Sequence, residues 1–444
     1  MKYYIKTFGC QMNVYDSKRI ADMLQNMGYQ SVDAPADADL ILFNTCHIRE
    51  KAAEKLFSDL GRMEIIKNER KERGLETIIG VAGCVVQAEN EQIATRAPYV
   101  NFATGPLTYH RIPEILARIA RQKDICVIDT DFPAESKFDF LPENKSVGGC
   151  SYLAIQEGCN NFCTYCIVPY TRGVETSRPV DDILQEAKNL VATNTLEINL
   201  LGQNVNSYHG EGSDGKEKNL AYLLNKLSEI EGLKRIRYTT SYPADMSDEL
   251  IACHKNLKKL MPYLHLPLQS GSDKILKAMN RRHTSGQYLE IVEKLKDANP
   301  EIGLSSDFIV GFPGETDEDF NATMEMVKKV NYIQAFSFKY SRRAGTPAAV
   351  YEHQVEEKIK QQRLKILQDD LFSRQLNFNK ECVGKIMPVL FESKGKKTGE
   401  IFGRTPYMQT LVAKGGADDI NKIKNVIITF GGMNALAGTI KEEA

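Results

Sequence analysis

Hydrophobic and polar positions follow two rhythms along the chain. Over the first 125 residues, Tyr3–Phe8, Leu40–Asn44 and Ile78–Ala82 are short runs, apolar or alternating, with β-branched and aromatic residues. Such runs predict strands. Between the first two, Ile20, Met23, Leu24 and Met27 fall at i, i+3, i+4 and i+7. That spacing predicts a helix, with Asp16 or Ser17 as its cap and Gly28 as its end. Strand–helix alternation predicts a parallel sheet. The rhythm fails over residues 129–150, where Pro, Asp, Ser and Gly accumulate without periodicity, as in a linker.

A second alternating region follows. Its expected strands are Tyr152–Gln156, Glu197–Leu201, Arg235–Thr240, Tyr263–Leu268, Leu304–Val310 and Ala335–Tyr340, with amphipathic helices such as Asp181–Ala192 and Thr284–Ala298 between them. Six βα units predict a barrel or part of one, with its site at the strands' carboxyl ends. A long polar helix, about Glu356–Asn379, leads to a tail of short strands (Val383–Phe391, Gln409–Ala413, Asn425–Thr429) between Gly- and Lys-rich turns. The tail predicts a small all-β barrel. The expected organisation is an α/β chain with an amino-terminal parallel-sheet domain (1–130), a linker (131–150), a barrel domain (151–378) and a β-barrel (379–444).

Composition narrows the chemistry. The net charge of −1 does not mark the whole molecule as a nucleic-acid binder, although the tail carries ten basic against seven acidic side chains. No apolar run approaches the ~20 residues of a membrane helix, and the amino terminus does not read as a signal peptide. A cytoplasmic protein is expected. There, ten cysteines suit metal or catalytic roles better than disulfides.

Three of the ten, Cys159, Cys163 and Cys166, lie in GCNNFCTYC with spacing C-x3-C-x2-C, just after the first expected barrel strand. A closed zinc or iron–sulfur site takes four ligands, and this loop supplies three. His110 and His209 are distant in sequence and lack a ligand-like spacing. Three thiolates on a [4Fe–4S] cluster leave one iron free to chelate an amine and a carboxylate, and Tyr165 offers an aromatic face beside it. A second trio, Cys10, Cys46 and Cys84, follows the three amino-terminal strands within two residues of each. Any one of them reads as a small turn residue. Together they mark one edge of a parallel sheet, where such sheets bind ligands. Cys126, Cys150, Cys253 and Cys382 show no ligand pattern.

A C-x3-C-x-aromatic-C loop after the first strand of a βα barrel resembles the radical S-adenosylmethionine (SAM) enzymes. The longer stretches GCNNFCTYCIVPYTRGVETSRP, LLGQNVNSY and SDFIVGFPGET, with the amino-terminal trio, resemble the methylthiotransferases of that family over essentially the whole chain. The resemblance implies an amino-terminal cluster domain, a radical SAM partial (β/α)6 TIM-like barrel and an RNA-binding TRAM barrel. It implies two [4Fe–4S] clusters, each on three cysteines, with SAM at the open iron of one and sulfur carried at the other. Reductive cleavage of SAM would give a 5′-deoxyadenosyl radical. The implied reaction converts N6-isopentenyladenosine at tRNA position 37 to its 2-methylthio form.

By the same resemblance, Gly202, Gln203 and Asn204 would hold the SAM amino group, though the same residues suit a plain turn. Ser241 and Gln269, at later strand ends, would reach its methionine or ribose. Gly311 and Gly314 would allow a backbone approach, since GFPGET lacks the Lys-Ser/Thr pair of a phosphate loop. Arg172, Arg178, Arg342 and Arg343 would meet tRNA phosphates, or else pair with surface acids. Lys394, Lys396, Lys397 and Arg404 would track RNA phosphates, with Phe402 and Tyr407 stacking on bases, or else form a solvated turn. A monomer without membrane attachment is expected. The sequence indicates neither electron donor nor sulfur source. Alternatives are a sibling enzyme acting on N6-threonylcarbamoyladenosine or on a ribosomal-protein aspartate, and a non-catalytic iron–sulfur RNA-binding or sensor protein.

Overall fold

The computed structural model describes residues 1–46, 50–122, 125–145 and 148–441. It divides into two compact units. The first is built on a six-stranded parallel sheet: β1 (Lys2–Thr7), β2 (Gln30–Ser31), β3 (Leu40–Thr45), β4 (Ile78–Gly83), β5 (Phe102–Thr104) and β6 (Val127–Asp129), in the order β2-β1-β3-β4-β5-β6. Four helices cover it: α1 (Gln11–Asn26), α2 (Glu50–Glu72), α3 (Cys84–Arg96) and α4 (Ile112–Arg121). Ile41 and Phe43 pack with Leu56 and Leu60 on one face, and Leu40 and Leu42 pack with Ile20 and Ile115 on the other. Strand β3 is therefore apolar through LILF rather than alternating, as a strand buried on both faces must be.

Three features differ from the sequence reading. Strands β2, β5 and β6 have two or three residues each, too few to show a period. Helix α1 begins at Gln11 with Cys10 at its N-cap, not at Asp16 or Ser17. Those two polar residues lie inside the helix because tertiary partners use them: Ser17 Oγ accepts from Thr7 and Asn44, and Asp16 is ion-paired. The expected linker 131–150 contains a turn of 3-10 helix, Lys137–Phe140, that buries Lys137. The first unit also takes in residues 157–160 and 167–175.

The second unit carries the six expected barrel strands in two parallel sheets. One orders Arg235–Tyr238, Glu197–Leu201 and Cys150–Ala154; the other orders Tyr263–His265, Gly303–Val310 and Gln334–Lys339. An isolated bridge from Ile236 to Leu260 links the first sheet to the chain entering the second. Helix Ser285–Ala298 starts on a capping box, Thr284 with Gln287, which satisfies two otherwise orphaned donors. Helix Glu357–Glu381 then leads to a closed five-stranded barrel. Two of its strands, Glu400–Arg404 and Leu436–Ile440, were not expected.

Buried Glu197 pairs with Arg235 (3.4 Å) and Arg237 (2.9 Å) at the amino-terminal ends of their strands. The two guanidiniums also donate to the carbonyls of Pro388, Thr405 and Pro406 in the small barrel. These bonds fasten the small barrel near the strands' amino-terminal ends.

Candidate functional site

Strands β1, β3 and β4 are neighbours, and their register pairs Thr7 with Asn44 and Thr45 with Gly83. The residues that follow each strand leave from one edge. Gly9 has φ +119°, and a Cβ there would stand 2.3 Å from the Cβ of Cys46. Only glycine permits that approach. Cys10 caps α1 and Cys84 opens α3, so both lie at the positive ends of helices, which favour thiolate. A hydrogen bond with Cys46 and the nearby charge of Arg172 hold the Cys10 thiol down at about 6. Burial pushes the Cys84 thiol up, and Arg172 opposes the rise.

Arg172 comes from the short helix Val168–Arg172 and is buried. It donates to Asp16 (2.8 Å) and Glu157 (2.7 Å). Lys137 bridges the same two carboxylates at 3.2 and 2.6 Å. Burial would raise the Asp16 carboxyl, but the two cations hold it low. The expectation that Arg172 meets RNA phosphate is corrected here: two carboxylates and two thiols already surround it. Arg178 is likewise buried, donating to Glu186 (2.7 Å) and the Ala154 carbonyl (2.7 Å). Among the described residues, no three His, Cys, Asp or Glu side chains close on a single ion. Thiols ligating different irons of one cluster need not close on a single point. A sulfur-rich edge beside a compensating guanidinium fits such a cluster.

The C-x3-C-x2-C loop is held by backbone. In the first unit, Cys159 N–H donates to Gly173 O (3.3 Å). In the second, Cys166 N–H donates to Cys163 O (2.9 Å), and Thr164 donates through N–H to Met279 O and through its hydroxyl to Ala278 O. Arg281, which the sequence did not single out, reaches Cys163 Sγ at 3.7 Å and lies over the Tyr242 ring at 4.1 Å. No ligand spacing links it to the loop; the basic pair in MNRRH was the available signal. Tyr165 packs against the apolar cluster of Ile275, Met279 and Phe312.

The expected SAM residues divide. A Cβ on Gly202 would stand 2.5 Å from Gln156 Oε1, and that same oxygen accepts from Asn204 N–H (3.1 Å). Asn204 Nδ2 donates to Asp245 (2.7 Å). Asn204 Oδ1 and Ser241 Oγ are buried without a hydrogen-bond partner among the described residues. Buried polar atoms of this kind are costly unless a ligand satisfies them. Gln203 is half-buried. Gln269 has φ +75° and is tied by backbone to Asp307 and Ile309. Gly311 has φ +70°, and a Cβ there would stand 2.3 Å from the Lys360 side chain. At Gly314, φ +80°, a Cβ would meet nothing within 4 Å.

Lys394, Lys396 and Lys397 are exposed around the turn that joins the first two strands of the small barrel. Arg404 instead braces that barrel, donating to Met408 O and Thr410 Oγ1 and lying over Phe402 at 5.0 Å. Tyr407 packs edge-on to Phe378 at 5.3 Å. These rings already have protein partners. Arg343 is half-buried.

Residues 153–327 match the Radical SAM superfamily, residues 2–105 the Uncharacterized protein family UPF0004, and residues 380–441 the TRAM domain. Over 442 residues, 99% of each chain, the sequence is 53% identical to the tRNA-2-methylthio-N(6)-dimethylallyladenosine synthase of Rickettsia canadensis (strain McKiel). The fold is similar to the radical SAM methyltransferase TsrM from Kitasatospora setae, solved with cobalamin and a [4Fe–4S] cluster (TM-score 0.57, 12% identity, 79% of this chain and 77% of that one). It is also similar to the cobalamin-dependent SAM radical enzyme OxsB (TM-score 0.53, 13% identity, 83% of this chain and 55% of that one). At these identities the structural likeness is one of fold.

Proposed function

The chain belongs to the tRNA-2-methylthio-N6-dimethylallyladenosine synthases of the radical SAM superfamily, and from that premise we propose which of its residues carry the reaction. The enzyme adds a methylthio group to C2 of N6-dimethylallyladenosine in tRNA, using SAM and a [4Fe–4S] cluster. In our reading Cys159, Cys163 and Cys166 hold that cluster, and Cys10, Cys46 and Cys84 hold a second one. Bound together, cluster and SAM supply radical chemistry, which an unactivated aromatic C–H bond requires and acid–base groups cannot provide.

The protein's own residues supply the surroundings. Arg281 and Arg172 each set a positive charge against one trio. Asn204 Oδ1 and Ser241 Oγ offer acceptors to the SAM amino group. Lys394, Lys396 and Lys397 meet RNA phosphates. The substrate adenosine is the one at position 37, in the anticodon loop of cytoplasmic tRNA, and one copy of the chain suffices. No helix among the described residues is long and apolar enough to cross a membrane.

The observation that carries the reading is the pair of cysteine trios, built from independent parts of the chain, each with an arginine beside it. The test is the nucleoside profile of tRNA from a strain lacking this protein. We expect 2-methylthio-N6-dimethylallyladenosine to vanish and N6-dimethylallyladenosine to accumulate. An unchanged profile would overturn the assignment.

A further inference from the structure

Side chains alternate across a strand, and on Gln334–Lys339 the two sets have different surroundings. Ala335 packs into the core that includes Leu364, Leu367 and Leu371 of the long helix, and Lys339 pairs with Glu357 of that helix. Phe336 and Phe338 therefore point to the opposite, inner face of the sheet, where they are 45% and 47% exposed. The register sets Phe336 beside Asp307 and Phe338 beside Ile309. Asp307 lies 3.4 Å from His265 Nε2, and the His265 ring meets Phe336 edge-on at 6.2 Å. Ile309 packs in the same cluster as Tyr165, the residue before Cys166. An open apolar strip thus runs from the His265–Asp307 pair toward the cysteine loop.

Two adjacent exposed phenylalanines on an inner face mark a ligand surface. Phosphates and riboses do not match it. The substrate adenosine carries one wholly apolar part, the five-carbon dimethylallyl group on N6. We propose that Phe336 and Phe338 form the wall that receives this group, with the Asp307 carboxylate accepting the hydrogen bond of the neighbouring N6–H. The strip then selects the alkylated adenosine over plain adenosine. This inference rests on the substrate reading above and adds the residues that enforce it.

The test titrates the reconstituted full-length enzyme with a labelled anticodon stem–loop RNA carrying either N6-dimethylallyladenosine or adenosine at position 37. Wild type should prefer the alkylated RNA by about tenfold or more, since even one apolar methylene in a pocket is worth roughly that much. The double variant F336A/F338A should bind the two RNAs within about twofold of each other, with affinity for the adenosine RNA unchanged. The double variant F336L/F338L should keep most of the preference. A preference that survives in F336A/F338A overturns the proposal, and so does an equal loss of affinity for both RNAs in the alanine and leucine variants. The reaction itself is scored in parallel. If wild type makes no 2-methylthio product from the alkylated RNA, the underlying substrate reading has failed. If product forms and the variants still discriminate, only the pocket has failed.

Discussion

The two cysteine trios are set out along the chain in different ways. Cys159, Cys163 and Cys166 come from eight consecutive residues, close together in sequence. Cys10, Cys46 and Cys84 come from three strand ends, and only the register of β1, β3 and β4 makes them neighbours. The first trio is a property of a loop; the second is a property of a sheet. Both gain an arginine from elsewhere in the sequence, Arg281 at 3.7 Å from Cys163 and Arg172 against Cys84. A cysteine trio can therefore be local in sequence while its charge environment is not.

Removing the ligands should separate the trios most sharply. Replacing Cys159, Cys163 and Cys166 with Ala should abolish both release of 5′-deoxyadenosine and thiolation. The same change at Cys10, Cys46 and Cys84 should abolish thiolation, keep SAM cleavage and remove roughly half of the iron, since each trio would hold one cluster. Iron assay and product analysis read both outcomes. Unchanged iron in the second variant would break the comparison.

The next effect tests what the sheet-built trio rests on. Arg172→Met leaves Asp16 and Glu157 buried with one cation between them, and should cost about 3–5 kcal/mol of stability, the usual penalty for breaking a buried pair. The denaturation midpoint measures it. Adding Asp16→Asn should recover part of the loss; no recovery would mean that the pairing is not the cause. Gly9→Ala should cost less, about 1–3 kcal/mol, because a Cβ would press on Cys46 from a positive-φ position. Its iron loss should be confined to the amino-terminal trio. An equal loss from both trios would show that they are not built independently.

The smallest effect belongs to the surface. Changing Lys394, Lys396 and Lys397 to Ala should weaken tRNA binding and lower the slope of log affinity against log salt by about 2, as expected for three lost phosphate contacts. An unchanged slope would leave the turn as solvated surface.

Legibility in the sequence followed the same division. The six barrel strands were found because each lies in an apolar or alternating run long enough to show a pattern, as the three-residue strand Tyr263–His265 does within the expected run Tyr263–Leu268, and Glu197–Leu201 was placed to the residue. Gln30–Ser31 and Phe102–Thr104, two and three residues long with no longer run around them to show a period, were missed. The start of α1 was misplaced because Asp16 has the chemistry of a cap while its carboxylate answers Lys137 and Arg172.

The sequence by itself determined the three-cysteine loop and the alternation that makes two α/β regions and a β tail. These follow from spacings of a few residues, which covalent geometry converts directly into distances. Only the tertiary structure decided that Arg172 is a buried counter-charge rather than a phosphate contact, that Lys360 lies beside Gly311, and that Phe336 and Phe338 stand uncovered. Charge pairing and exposure depend on neighbours brought together by sheet register and helix packing, and a linear spacing does not encode those neighbours.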